Sequence, residues 1–321
     1  MLNSLQALFL SVLLSGIQTG RTEPFLDFIH ISDTHVANFA GVHPKIVAAR
    51  ARNMTSSDQL IRFLEQIRDH ESPAFILHSG DAVDASCFDS ESKTPVGKQI
   101  EYFRSIMSRN PIAVYLALGN HDVECYRQVE GRETPAGDQS VAADARRQWR
   151  RAFRCFREGT YYSFSREVGA TRYRFLVLDN GETYAEASPY YRKQTAWLRK
   201  QLTRRPDDVI ILVMHVPLGE DRFSQVVGSL VAERESVVLS LAGHRHSDAV
   251  EEADLSGELL VQVRTASLSA SPANWRRIRL LTDRIEIAET GYPEKTARII
   301  ALPKTHKAQV TGLEPVPAHS H

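Results

Sequence analysis

The chain has 321 residues, 39 basic and 39 acidic side chains, and a formal net charge of zero. That length can bury a large core as one domain or two, and 42% apolar residues mark a globular rather than a disordered chain. Balanced charge excludes the global basic field that draws nucleic acid, although it says nothing against a local basic site.

Residues 1–20 carry no charged side chain, and residues 5–14 are largely apolar. This apolar core is shorter than the ~20 residues of a membrane span and suits a signal peptide, so the protein is expected to be exported, periplasmic or secreted. The stretch lacks Lys and Arg, and Gln18 precedes Gly20 where a small residue belongs, so an uncleaved anchor or a mispredicted start stays open. No cysteine follows the leader, and no later run is long enough to span a membrane.

Residues 25–31 are apolar, predict a strand, and run into Ser32-Asp33-Thr34-His35. Residues 36–54, with Gly41 and Pro44, read as a lid or rim loop. Ser57 and Asp58 open a helix in which Leu60, Phe63, Leu64 and Ile67 recur at helical spacing. It returns the chain for a parallel strand, residues 74–77, which runs into His78-Ser79-Gly80-Asp81-Ala82-Val83-Asp84. His30 and His78 read as interior histidines with hydrogen-bond partners. Residues 85–97 read as loop, and Ile100, Phe103, Ile106 and Met107 mark the next helix. The central strand, residues 112–118, stops at Gly119, and Asn120, His121 and Asp122 follow at once.

Residues 123–160 look like an insertion. The first half, with Gly131, Pro135 and Gly137, reads as loop. The second half is helical: Ala145, Trp149, Ala152, Phe153 and Phe156 form an apolar stripe. Arg146, Arg147, Arg150, Arg151, Arg154 and Arg157 fall mainly outside it. Such a run is usually a solvated face; the functional alternative is a basic wall beside an anionic substrate. Residues 161–165 and 173–178 predict a hairpin, ended by Asp179-Asn180-Gly181. Gln194, Trp197, Leu198 and Leu202 mark a helix. Residues 209–214 form a strand that ends in His215-Val216-Pro217, and a Gly-rich stretch follows. Residues 237–241 form another, ending in Ala242-Gly243-His244-Arg245-His246. Residues 259–263, 278–281 and 285–288 predict late strands, the last two antiparallel at the end of a second sheet. Residues 291–321, with Pro303, Pro315 and Pro317, read as a loosely attached tail in which His319 and His321 are surface residues.

Five strand ends therefore offer Asp, Asn or His, and in open α/β sheets ligands sit beyond the carboxyl ends of strands. The odd count of Cys87, Cys125 and Cys155 leaves at least one thiol unpaired or intermolecular. Cys125 and Cys155 flank one long segment and form the first candidate pair, with three ordinary thiols the alternative.

Asp33-x-His35, Gly80-Asp81-x-x-Asp84, Gly119-Asn120-His121-Asp122, His215 and Gly243-His244-x-His246 resemble, in order, the five blocks of the calcineurin-like metallophosphoesterase superfamily. The resemblance spans roughly residues 25–290, and Gln194-x-x-Trp197-Leu198 adds to it. It implies an α/β fold of two packed mixed sheets flanked by helices, in four layers, and a binuclear-metal-dependent phosphoester hydrolase. Carried over by position, Asp33, His35 and His246 hold one metal; Asn120, His215 and His244 hold the other; Asp81 bridges them. Mixed imidazole and carboxylate suit Mn, Fe or Zn.

The resemblance further implies a metal-bridging hydroxide that attacks an anionic phosphoester in line. His121 is then expected to protonate the leaving oxygen or stabilise its charge, and Asp122 to orient that imidazole. Purple acid phosphatases carry a metal-binding tyrosine where Asp84 stands, which disfavours that subtype. Asp84 is expected to hydrogen-bond a neighbouring ligand or loop amide, or simply to cap a turn. A phosphodiester is the favoured substrate and a phosphomonoester the alternative. A non-catalytic metal-binding module on the same fold is the reading from another class.

Overall fold

Two six-stranded mixed sheets face each other across an apolar interior, and a small four-stranded sheet stands beside them. The computed structural model describes residues 23–96, 98–182, 188–232, 234–255 and 257–303; the leader 1–20, His319 and His321 lie outside the described residues. The first sheet runs, in spatial order, Tyr292–Ala301, Arg284–Glu289, Arg276–Leu280, Leu26–Ile31, Ile76–His78 and Val114–Leu116. The second runs Ala249–Leu255, Glu258–Arg264, Val237–Ala242, Val209–Val213, Thr171–Val177 and Tyr162–Val168.

Side chains alternate across each strand, so every central strand feeds two cores. Phe28, Phe75, Leu77 and Ala117 of the first sheet meet Tyr173, Phe175, Val177, Ile211 and Leu241 of the second. Ile29, Ile31, Ile76 and Leu116 face the other way, against helices Ser56–His70, Gln99–Met107 and Ala142–Ala152. Leu176, Ile210, Leu212 and Met214 likewise face helices Pro189–Arg204 and Arg222–Val231. The result is the four-layer order helix, sheet, sheet, helix. Each fully buried Val, Leu, Ile or Phe contributes roughly 1.5–3 kcal/mol. No helix of the described residues is long and apolar enough to cross a membrane.

The central strands Leu26–Ile31, Ile76–His78 and Val114–Leu116 are parallel, as are Thr171–Val177, Val209–Val213 and Val237–Ala242. Parallel neighbours need long crossovers, which the helices supply. Their carboxyl ends in each sheet therefore emerge along one edge.

Several segments differ from the sequence expectation. Residues 36–54 hold a helix, Pro44–Ala49, whose Ile46 is fully buried; six residues are too few to show periodicity. Residues 85–97 contribute strands Cys87–Asp89 and Pro95–Val96, and the loop half of the insertion contributes Cys125–Arg127 and Ala136–Asp138. The Gly-rich stretch after His215 holds the helix Arg222–Val231, opened by a reciprocal cap between Asp221 and Ser224. Its Gly228 lies against Leu255, where an added Cβ would come within 3.0 Å of that side chain, so the helix closes onto the sheet. The late strands Arg276–Leu280 and Arg284–Glu289 join the first sheet beside Leu26–Ile31, not the second. The tail is not loose at residues 292–301, which pair antiparallel with Arg284–Glu289 as an edge strand. Its mostly exposed residues and Pro293 hide the strand pattern.

The expected Cys125–Cys155 pair is also wrong. Cys87 and Cys125 lie opposite each other on adjacent parallel strands, their Cα atoms 4.6 Å apart, and form a disulfide. Cys155 is free, and burial pushes its thiol up to about 11. Cross-linking a separation of 38 residues contributes up to about 4 kcal/mol in the chain-entropy account. The Cys87→Ser/Cys125→Ser double variant is expected to lose about 2–4 kcal/mol of unfolding free energy in non-reducing urea titrations. An unchanged midpoint would show that the bridge does not support the fold.

Candidate metal centre

The carboxyl ends of five strands converge where the two sheets meet. The first sheet brings Asp33, Asp81 and Asn120, and the second brings His215 and His244. The backbone here is unusual. Asp33, His35, Asp81, His244 and His246 all have φ between 42° and 69°, and among the described residues Lys93 is the only other non-glycine with positive φ. Such conformations cost on the order of 1–3 kcal/mol each and persist where the surroundings over-determine them. Here the surroundings are loop-to-loop hydrogen bonds. Asp33 N donates to Gly80 O at 3.0 Å, His35 N to Asp81 O at 3.0 Å, and Gly243 N to His215 O at 3.0 Å. His244 N donates to Asp33 Oδ2 at 3.1 Å.

Gly119 lets two strand ends touch. A Cβ there would fall on the Asp81 carboxylate, 2.5 Å from Asp81 N and 2.8 Å from His215 Cδ2. Gly119→Ala is expected to weaken binding of Mn by about tenfold, roughly 1.4 kcal/mol, as read by calorimetric titration. Wild-type affinity in that variant would mean the loops have slack that these distances do not show.

Ligand-type atoms gather in two groups that share Asp81. Asp33, His35, Asp81 and His246 offer donor atoms within 4.8 Å of one another, and so do Asp81, His215 and His244. His246 Nε2 is 3.2 Å from Asp33 Oδ1 and 3.0 Å from His35 Nε2. Asp81 Oδ2 lies 3.8 Å from His35 Nε2 and 3.0 Å from His215 Nε2, so one oxygen faces both groups. Asp81 Oδ1 accepts the His121 amide at 2.9 Å. The structure thus brings together six of the seven positions named from the motifs, and Asn120 lines a cavity with His244.

These residues fit cations. Asp33 Oδ1, Asn120 Oδ1 and His215 Nε2 are buried without a well-aligned hydrogen-bond partner among the described residues. Buried polar atoms left unpaired cost about 1–3 kcal/mol each, and a cation would satisfy them. The electrostatics agree. Burial alone would depress His35, but Asp33, Asp84 and Asp81 hold it up at about 10. Burial would depress His215 too, but Asp81 holds it up at about 9. Burial would raise Asp33 and Asp81; the surrounding histidines hold both below the usual carboxylate range. His244 is lowered by burial and by His215. The carboxylate field favours positive charge, whether carried by protons or by metal.

The supporting groups set ring orientations. His215 Nδ1 lies 3.0 Å from Ser79 O, which leaves Nε2 for the site. His35 Nδ1 is 3.5 Å from Asp84 Oδ1. Asp84 is itself clamped by Arg50 and by Asn53 Nδ2 at 2.6 Å, and burial notwithstanding, Arg50 and His35 hold its carboxyl below the usual range. His35, Asp84 and His121 form a third close group, but the Arg50 guanidinium already neutralises that carboxylate.

His121 turns Nδ1 to Asp84 O at 2.8 Å, with Glu124 Oε1 3.2 Å away, and presents Nε2 3.9 Å from Asp81 Oδ2. Burial lowers its pKa to about 4, against the pull of Asp81. Burial and then the Asp81 charge push Glu124 up to about 7.

Asp122 does not orient His121. Its carboxylate accepts the amides of Gly119 at 2.8 Å and Val83 at 3.0 Å, tying two strand-end loops together. Burial and then Asp81 push it up to about 7. Its carbonyl accepts Trp149 Nε1 at 2.8 Å, anchoring the insertion helix. His30 and His78 are interior: His30 meets Ser79 and Thr265 hydroxyls at 2.9 and 2.8 Å, and His78 meets Thr34 at 3.0 Å. Burial first pushes both down to about 3.

Three groups had no motif. Arg50 sits in what reads as loop. Glu124 opens the insertion. Asn180 Oδ1 accepts the amides of His215 and Val216 at 2.9 and 3.1 Å, holding that loop; its place in a sixth polar strand ending, Asp179-Asn180-Gly181, was the available signal.

A cavity of about 370 Å³ opens beside Asn120, Asn180 and His244. Glu182, Glu220, Asp221, Arg222 and Arg245 stand around its mouth. It shares Gln139 and Glu182 with a larger cavity of about 920 Å³ on the insertion helix. That cavity, not the metal centre, is lined by three of the run, Arg146, Arg147 and Arg150. Arg146 is buried against Asp179 at 2.8 Å, Arg147 pairs with Asp144, and Arg150 is exposed.

The family model described as calcineurin-like phosphoesterase matches residues 26–248. No curated protein matches the chain in sequence. Among solved structures the chain is similar to a dimetal phosphatase from Danio rerio, at 13% identity and a TM-score of 0.57, over 88% of this chain and 100% of that one. It is also similar to GAP50, the anchor in the inner membrane complex of Plasmodium, at 12% identity and a TM-score of 0.55, over 88% and 91% of the two chains. At such identities the likeness shows the shared fold.

Proposed function

The chain belongs to the calcineurin-like phosphoesterase family of metal-dependent hydrolases, and from that premise we propose that it cleaves phosphodiesters at the centre just described. The observation that carries this reading is the sharing of Asp81 between two groups of ligand-type atoms. Asp33, His35 and His246 would hold one cation, Asn120, His215 and His244 the other, with Asp81 between them. Mn, Fe or Zn ions bound there would supply charge neutralisation for the phosphate and activation of water.

The chain's own residues do the rest. The Asp84 carbonyl and Glu124 keep the His121 ring turned so that Nε2 faces the site. A protonated Nε2 would deliver its proton to the leaving oxygen; burial works against the charged ring, and the Asp81 carboxylate pulls toward it. What supports a diester is the mouth: three carboxylates, Glu182, Glu220 and Asp221, stand against two guanidiniums, Arg222 and Arg245. Arg245 is already paired with Glu220 at 2.6 Å and Glu182 with Arg146, so the rim presents little spare positive charge. Such a rim tolerates a monoanionic diester better than a dianionic monoester.

The test is release of p-nitrophenol from bis-(p-nitrophenyl) phosphate and from p-nitrophenyl phosphate, after metal removal and resupply with Mn, Fe or Zn. Faster metal-dependent turnover of the diester is expected. Release from the monoester alone would replace this reading with a phosphomonoesterase. The Plasmodium anchor has the same fold, so a module without turnover is the reading from another class; the full ligand set and His121 favour turnover. The same proposal places the protein outside the reducing cytosol, supported by the Cys87–Cys125 disulfide. Recovery of the native protein in the cytosolic fraction would overturn that part.

A further inference from the structure

A second cluster of charge lies at the other end of the second sheet. Strands Thr171–Val177 and Val209–Val213 run parallel, and the metal-centre residues follow their ends. Near their beginnings is a surface cavity of about 530 Å³. Five guanidiniums, of Arg166, Arg172, Arg174, Arg204 and Arg205, line it against two carboxylates, Glu167 and Asp208.

Part of this charge is used internally, but two of the five guanidiniums are not. Arg166 is spent on the Tyr115 hydroxyl at 2.7 Å and on aromatic faces. Arg172 leans on Glu167 at 2.9 Å and on Asp208 Oδ1 at 3.6 Å. Arg204 and Arg205 make no ion pair among the described residues. Arg174 decides the matter. It is 4% exposed. Its Nη1 donates to Gln201 O at 2.7 Å, and its Nε lies 2.8 Å from Asp208 Oδ2. Its Nη2 is buried and unpartnered. Capping the last turn of helix Pro189–Arg204 explains Nη1 but not Nη2. Burial, and then Arg204 and Arg172 acting against Asp208, lower its pKa; like charges have been brought together without enough counter-charge.

We propose that this cavity is an anion site for a compact phosphate group, remote from the metal centre, with Arg174 as its buried donor and Arg172, Arg204 and Arg205 as its rim. A guanidinium presents planar paired donors that match phosphate oxygens. One site of this chemistry serves free phosphate or the phosphate of a larger ligand.

The test is calorimetric titration of the metal-loaded full chain with inorganic phosphate and, separately, with glycerol 3-phosphate, at constant ionic strength. Two classes of site are expected with phosphate, one at the metals and one remote. Arg172→Gln/Arg205→Gln should weaken the remote class at least tenfold and leave diester turnover unchanged. Asp81→Asn should disturb the metal class and keep the remote one, so the remote site stands or falls apart from the catalytic reading. Binding of both ligands to the remote class identifies the phosphate of a larger molecule; binding of phosphate alone identifies the free ion. Isotherms that the arginine double variant leaves unchanged would overturn the proposal. Arg205→Gln alone, at an exposed position, repeats the measurement should the double variant fold poorly.

Discussion

Asp81→Asn is expected to lower kcat/KM for metal-dependent diester hydrolysis by at least ~10³-fold, about 4 kcal/mol. The substitution is nearly isosteric, and the geometry shows why it should be severe. Oδ1 accepts the His121 amide at 2.9 Å, and only an oxygen can do so. An asparagine therefore keeps its oxygen there and places its NH2 where Oδ2 stands, 3.0 Å from His215 Nε2 and 3.8 Å from His35 Nε2. A donor then replaces the acceptor that both groups share. The charge that helps hold His35 and His215 above their ordinary range is lost as well. Metal content by mass spectrometry should fall from two ions per chain toward one or none, with circular dichroism unchanged. A variant that kept both metals and a tenth of the activity would remove Asp81 from the bridging role.

His121→Ala should behave differently. Loss of a positioned acid typically costs 10²- to 10⁴-fold, so a drop of about 10²-fold or more in kcat is expected for an alkyl diester. It should be far smaller for a p-nitrophenyl ester, because p-nitrophenolate leaves without protonation. Metal content should stay near wild type, since His121 is outside both groups that share Asp81. The comparison of two leaving groups separates proton donation from a structural loss, which would lower both rates alike. Equal losses on the two substrates would assign the His121 ring to shaping the site instead, through its contacts with His35 at 4.8 Å and with Asp84 O at 2.8 Å.

Much of the site was legible because its candidate ligands follow apolar runs directly. Asp33, Asp81, Asn120, His215 and His244 each sit just past a strand whose period is visible, and their spacing is local. The same holds for the helices Ser56–His70 and Pro189–Arg204, long enough to show their stripes. The short helix Pro44–Ala49 and the edge strand Tyr292–Ala301 carry no comparable period, and both read as irregular.

The role given to Asp122 failed for a different reason. Adjacency in sequence suggested that it held the neighbouring imidazole, yet the ring turns to the backbone carbonyl of Asp84, while Asp122 faces two amides. Every residue has a carbonyl, so an acceptor of that kind leaves no mark in the amino-acid string. The disulfide is similar: Cys87 meets Cys125 because their strands pair in parallel register, which the flanking of one segment by Cys125 and Cys155 did not reveal. The sequence by itself determined the ligand types, their order and the strands that end in them, because those depend on local chemistry and period. Only the tertiary structure decided which oxygen of Asp81 faces both groups, what holds His121, which cysteines join, and that Arg174, with its Nη2 unpartnered, lines a cavity. Each of these depends on neighbours through space, and in several the partner is a backbone atom or a carboxylate far away in the chain.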